Sequence, residues 1–236
     1  MSDVGYKLVL LLRSSDALAP GEFAPAWAEQ ERHSPTSAAG LLRSVLDAPI
    51  PLAAPVATAA TSPFDAAVET WWDKKNSAAD WVTSREFRER WMPGRRGLLG
   101  AAPMAVGGIP QVIWAADEDA GDETVKVVTL PVSSRRLRLQ DFAERWTVDH
   151  ARLALSGPGF TQRVRRIEYT PAPLRPPPIF AIGRYDGVGA ITFASIDALR
   201  AEFESDYYRT TLAPDETRFA DPTASAAFVT VEVPQD

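Results

Sequence analysis

The chain has 236 residues, 45% of them hydrophobic and 24% charged, enough for one large domain or two of roughly 100 residues or more each. Its formal net charge of -6 argues against nonspecific nucleic-acid binding, which needs phosphate neutralisation by Lys and Arg. It has no cysteine, which excludes disulfides, thiol catalysis and Cys-ligated metal sites and suits a reducing cytoplasm.

Tyr6 to Arg13 is a short apolar run ending in the turn Ser14-Ser15-Asp16, the pattern of a buried strand. Its apolar centre, Leu8 to Leu12, is shorter than the ~7–15 residues of a signal-peptide core and the ~20 of a membrane span, so a cytoplasmic protein with no membrane partner is expected. Phe23 and Trp27 follow at helical spacing and share one face. The run Pro49 to Pro55 is too proline-rich for a central strand and reads as a loop. Phe64-Asp65 opens a strand reaching Trp71-Trp72; a helix over about 77–91 and a strand at Ile109 to Ala115 complete the first half.

Asp117 to Thr124 (DEDAGDET) is acidic and lacks large apolar residues, as a linker does. After it the order repeats. Val125 to Val132 (VKVVTLPV) is a strand ending in Ser133-Ser134, and Phe142 and Trp146 are four apart on a helix. Thr161 to Thr170 is a strand whose first-half counterpart is obscure and is sought within Pro49 to Thr61. The proline-rich Pro171 to Pro178 is a loop. Tyr185-Asp186-Gly187 leads a strand to Phe193, a helix covers about 196–211, and Ala226 to Val233 is the closing strand. Each half reads β-α-β-β-α-β, an α+β ferredoxin-like unit: residues 1–116 form a divergent first repeat, 117–124 the linker and 125–236 the second repeat. The open sheet faces must be covered, so the repeats are expected to pack sheet to sheet with a cavity between.

The second half resembles the EthD family of dimeric α+β barrel proteins. The resemblance rests on VKVVTLPV, DFAERWTVDHARLAL, YDGVGAITFAS and DETRFADPTASAAFVTVEV, on the spacing of Trp146 and His150, and on Tyr185-Asp186-Gly187 with the late Asp215, Phe219 and Asp221. It extends more loosely over 6–116 through YKLVLLLR, Phe23, Trp27, His33 and Phe64-Asp65. It implies a barrel normally made by two chains, here closed within one chain as an internal pseudo-dimer, although a homodimer of such chains is an open alternative. Related proteins include cofactor-free polyketide cyclases and oxygenases, and haem-handling enzymes.

The two histidines, His33 and His150, each follow an F-x-x-x-W element. They are not equivalent. His150 lies four after Trp146; in the first half Glu31 holds that place and His33 lies six after Trp27, about 240° around a helix. His150 is the leading candidate general acid/base, because its charge changes near neutral pH and the family position faces the barrel mouth. The bland alternative is a packing or capping histidine; for His33 it is a surface residue. Asp186 could orient a histidine or act as a base, or simply serve a turn. Tyr169, Tyr185 and Tyr207, with Trp71 and Trp72, are candidates for an aromatic substrate pocket, with core packing as the alternative. Arg163, Arg165 and Arg166 could bind a carboxylate or form a solvated edge. The glycines lack a phosphate-loop pattern, and no metal site is expected.

The expected activity is proton transfer on an aromatic or polyketide-like small molecule (cyclisation, isomerisation or elimination) without a cofactor. The alternatives are a non-catalytic binder of hydrophobic ligands and a haem-dependent oxygenase, since one histidine suffices as a haem ligand.

Overall fold

The computed structural model describes residues 4–19, 21–50, 60–117, 124–135, 137–172, 176–177, 179–182 and 184–234. The first half runs β1 (Tyr6–Leu12), a helix at Phe23–His33, β2 (Leu41–Pro49), the short β3 (Ala60–Thr61), β4 (Ala66–Trp72), a helix at Lys75–Thr83, a π-helical turn at Phe87–Trp91 leading into Met92–Arg95, then β5 (Met104–Gly108) and β6 (Gln111–Ala115). The second runs β7 (Val125–Leu130), a helix whose middle turn, Arg145–His150, is π-helical, a short helix at Phe160–Arg163, β8 (Val164–Pro171), β9 (Ala181–Ile182) and β10 (Gly187–Phe193). A helix at Ile196–Phe203, a π-helical turn at Tyr208–Leu212 leading into Ala213–Phe219, and β11 (Ala226–Pro234) complete it. The expected continuous helices over 77–91 and 196–211 are therefore each broken in two, and residues 160–163 are helix rather than strand.

The strand order is β2-β4-β1-β5 in the first half and β8-β10-β7-β11 in the second, the same ferredoxin-like arrangement twice. Antiparallel pairing continues across the halves. The first part of β11 pairs with β7, from Ala226 opposite Leu130 to Thr230 opposite Lys126; its second part pairs with β2, from Thr230 opposite Pro49 to Pro234 opposite Val45. The other seam is divided between two strands. There β5 pairs with β1, and after Ile109-Pro110 the chain resumes as β6 paired with β8. The closing strand of the first half thus begins at Met104, earlier than expected, and breaks at Pro110, which has no N–H to give a ladder. Gly108 makes this seam possible, because a Cβ there would stand 2.0 Å from the Pro171 carbonyl oxygen. The sheet closes into a barrel within one chain.

The duplication is visible in matched contacts. Phe23 and Trp27 have ring centroids 5.7 Å apart with planes at 32°; Phe142 and Trp146 have 5.6 Å and 31°. The Asp65 carboxylate accepts the Ser14 amide at 2.8 Å, and the Asp186 carboxylate accepts the Ser133 amide at 2.7 Å. The first-half counterpart of β8 is β2, which lies before the proline-rich run in which it was sought. Its sequence, LLRSVLDAP, hides the strand because Asp47 is an acidic residue yet fully buried.

The outer face of the barrel packs on the helices. In the first half Leu8, Leu10, Trp27, Trp72, Trp81 and Trp91 form this core; in the second, Val127, Phe142, Trp146, Ile167, Phe193 and Phe219. Side chains from both halves pack in the barrel interior. One part is apolar: Val9, Leu11, Val106, Val128, Leu130 and Phe228, with Phe64 and Tyr185 edge to face at 6.1 Å. Around the first residues of β1 and β7 it is charged. Lys7 Nζ lies 2.9 Å from Glu69 and 2.8 Å from Glu168, while Lys126 Nζ lies 2.7 Å from Asp47, 2.9 Å from Glu69 and also against Glu232. The carboxylates of Asp47, Glu69 and Glu232 cluster within 4.8 Å as they would around a cation, and the Lys126 ammonium contacts all three. Burial alone would raise the Glu168 carboxyl, but Lys7 and Arg166 overcome it and hold the group at about 2. For Asp47 burial wins over Lys126, and its carboxyl is pushed up to about 7.

Candidate active site

His150 ends the π-helical turn Arg145–His150 and is 7% exposed. A π turn adds a residue to the helical repeat, and such turns concentrate at functional sites. The equivalent stretch of the first half, inside Phe23–His33, is regular α-helix. The His150 Nδ1 lies 3.0 Å from an oxygen of Asp215, which follows Pro214 in the first turn of Ala213–Phe219. Arg145 donates to the other Asp215 oxygen, and Arg218 stands 3.7 Å from it. With Asp215 as acceptor, Nδ1 carries the ring proton and Nε2 keeps its lone pair. Burial, aided by the charge of Arg145, pushes His150 below the ordinary histidine range, against the opposing pull of Asp215. The imidazole is therefore neutral at neutral pH.

His150 lines a cavity of about 80 Å³ between the second-half sheet and its helices. Trp146 and Tyr169, stacked at 4.5 Å, contribute to its lining, as do Ile191, Phe219 and Pro222. Phe219 lies 5.1 Å from the His150 ring. The polar lining comes from His150, Glu216, Thr129, Thr217 and Ser225, with the tyrosine Tyr169. Glu216 accepts the Tyr208 hydroxyl at 3.3 Å. Burial, then the nearby charge of Glu216, pushes the Tyr169 phenol above its usual range, so it stays a neutral hydrogen-bonding group.

Of the residues singled out in the sequence, the structure brings His150 and Tyr169 together at this cavity. The others lie elsewhere. Asp186 serves its turn, capping the Ser133 amide, and is absent from the cavity wall. Tyr185 packs inside the barrel on Phe64. Trp71 also faces the interior and donates to Glu168 at 3.0 Å, whereas Trp72 packs in the first-half outer core and donates to Thr70 at 2.8 Å. The Tyr207 hydroxyl donates to the Leu153 carbonyl at 2.9 Å, a tie between helices. His33 is exposed at a helix end beside Glu29. The site residue that the sequence did not single out is Asp215; its only signal was its place in the family pattern. For Asp186→Ala we expect a loss of about 1–2 kcal/mol in stability, measured by urea unfolding, from the lost amide cap.

In the first half Glu31 stands at the His150 position. It is 4% exposed and ion-paired with Arg95, whose guanidinium lies 4.2 Å over Trp91. Trp81 and Trp91, 5.1 Å apart, pack the same region, so it is solid core. Substituting Trp91 by Ala should cost about 3–5 kcal/mol, read from the unfolding midpoint, because it opens a hole in a packed aromatic cluster.

Among the described residues no helix is long and apolar enough to cross a membrane. The EthD domain model matches residues 134–223, which include the helix of His150 and the helix of Asp215. No curated protein matches the chain. Solved structures resemble it in fold at low identity. An anthrone oxidase-like protein shares 10% identity with a TM-score of 0.66, over 99% of this chain and 94% of the other. A monooxygenase candidate from Fusobacterium nucleatum shares 8% with a TM-score of 0.59, over 99% and 96%. A dye-decolorizing protein from V. cholerae shares 12% with a TM-score of 0.53, over 97% and 94%. The closed barrel built from two ferredoxin-like halves is the fold these solved structures share, and residues 134–223 of its second half are similar to the EthD domain.

Proposed function

We propose that the protein is an enzyme that moves a proton on a small, largely apolar molecule held against the Trp146–Tyr169 wall, with no cofactor. The observation that carries this reading is the His150–Asp215 pair: a neutral imidazole with Nδ1 committed to a carboxylate, on the wall of a mostly apolar cavity. Nε2 takes the proton from an acidic O–H or C–H of the ligand. Asp215 fixes the tautomer and stabilises the imidazolium that forms. The proton then returns at a second position of the anion, giving isomerisation or ring closure, or is kept while a leaving group departs. Tyr169 supplies a hydroxyl for the developing oxyanion. The fold neighbours named for monooxygenase and oxidase-like proteins agree with a small-molecule enzyme.

A haem would be held through the His150 imidazole, but the cavity of about 80 Å³ does not fit a macrocycle, since drug-sized ligands already occupy about 300–1,000 Å³. The space holds the reacting edge of a single ring. The test is solvent deuterium exchange into a panel of single-ring phenols and enolisable ketones. Exchange by the wild type and none by His150→Gln supports the reading; binding without exchange supports a carrier. Because the base must be unprotonated, kcat/KM should fall as pH drops, along a limb whose midpoint lies below the ordinary histidine value of about 6.5.

A further inference from the structure

The arginine cluster of β8 has no part in the His150 site. Arg166 lies opposite Thr192 on β10, and Arg43 lies opposite Trp71 on β4. These are matching positions of the two repeats, as are Lys7, opposite Trp71, and Lys126, opposite Thr192. The duplication has therefore gathered cations at one end of the barrel. They border a pocket of about 220 Å³, lined by Arg43, Lys126, Arg165, Arg166, Thr192 and Glu232 among others. Four of these side chains are cationic and one is a carboxylate. Arg43 pairs with Glu232 and Arg166 with Glu168, but Arg165 reaches only the carbonyls of Gln162 and Val164, at 3.2 and 3.4 Å. Among the described residues it has no carboxylate partner. An arginine fork left in this state beside further cations matches the two oxygens of a phosphate or carboxylate.

We infer that this end of the barrel is a second ligand site, which takes a small oxyanion with two negative charges, gripped by Arg165 with Arg43 and Arg166 and with the Thr192 hydroxyl as a further donor. It is separate from the His150 cavity, with which it shares no lining residue.

The probes are inorganic phosphate and malonate, titrated calorimetrically at matched ionic strength into wild type, Arg165→Gln, Arg165→Lys and His150→Gln. One probe should bind saturably to the wild type, and which one does so separates a phosphate from a dicarboxylate site. Arg165→Gln should weaken that binding at least tenfold. Arg165→Lys keeps the charge without the fork and should fall between, and His150→Gln should bind as the wild type does. No saturable binding of either probe, or equal affinity in wild type and Arg165→Gln (an adventitious ion only), overturns the inference. So does loss of binding in His150→Gln, which would place the anion in the other cavity. If Arg165→Gln does not fold, the lysine variant carries the comparison: at least threefold weakening supports the site, and unchanged affinity overturns it.

Discussion

Replacing His150 by Gln is expected to lower kcat/KM for the proposed reaction by about 10²–10⁴, the range lost when a general base is removed from a positioned site. Glutamine keeps a polar side chain of similar reach, so the helix packing around Trp146 and Phe219 should survive, and circular dichroism should show an unchanged fold. The effect must appear in kcat/KM, because proton removal is a transition-state step, while affinity for a non-reacting analogue changes little. Asp215→Asn shares part of this loss for a different reason. It keeps the hydrogen bond but no longer enforces the tautomer that leaves Nε2 free, and it removes the charge that stabilises the imidazolium. The double variant should be little worse than His150→Gln alone, since the two residues act as a unit.

The second large effect is on stability. Lys126→Met removes a buried ammonium that contacts Asp47, Glu69 and Glu232. The methionine stem fits, but the carboxylates of Asp47 and Glu69 are left buried against each other with less compensation. The expected cost is about 3–5 kcal/mol, the range for breaking a buried pair by removing one partner. It is read as a shift in the denaturant midpoint at constant slope. Adding Asp47→Asn and Glu69→Gln to the same chain should restore most of the loss, because a fully neutral interior has no unpaired charge to bury. A cost under about 1 kcal/mol for Lys126→Met would mean that water or a bound cation reaches the cluster.

The fold was legible in the repeated order of strands and in the paired Phe and Trp residues, because outward-facing strand and helix positions follow the ordinary apolar pattern. The barrel interior was not. Part of it is charged, so β2, with Arg43 and Asp47, does not look like a central strand. The kink at Pro110 was invisible for a related reason: its purpose is to pass a strand from one neighbour to another, which only the closed sheet requires. The site was partly legible. The four-residue spacing separated His150 from His33, and Glu31 does occupy the matching place in the first half. The partner of His150 was missed because Asp215 is 65 residues away and no local spacing couples the two. Asp186 looked like an orienting carboxylate in a turn; its repeat partner Asp65 makes the same contact in a half with no histidine site, which marks both as turn residues.

The proposed chemistry stands on the protonation state of His150, and the chain has only two histidines with which to check it. Long-range proton–nitrogen NMR on uniformly labelled protein should show two imidazoles, the signal missing in His150→Gln being that of His150. This ring should be neutral at pH 7 with its proton on Nδ1, and should titrate below the ordinary histidine value of about 6.5. A His150 ring that carries its proton on Nε2, or that titrates at or above that value, would overturn its role as the base.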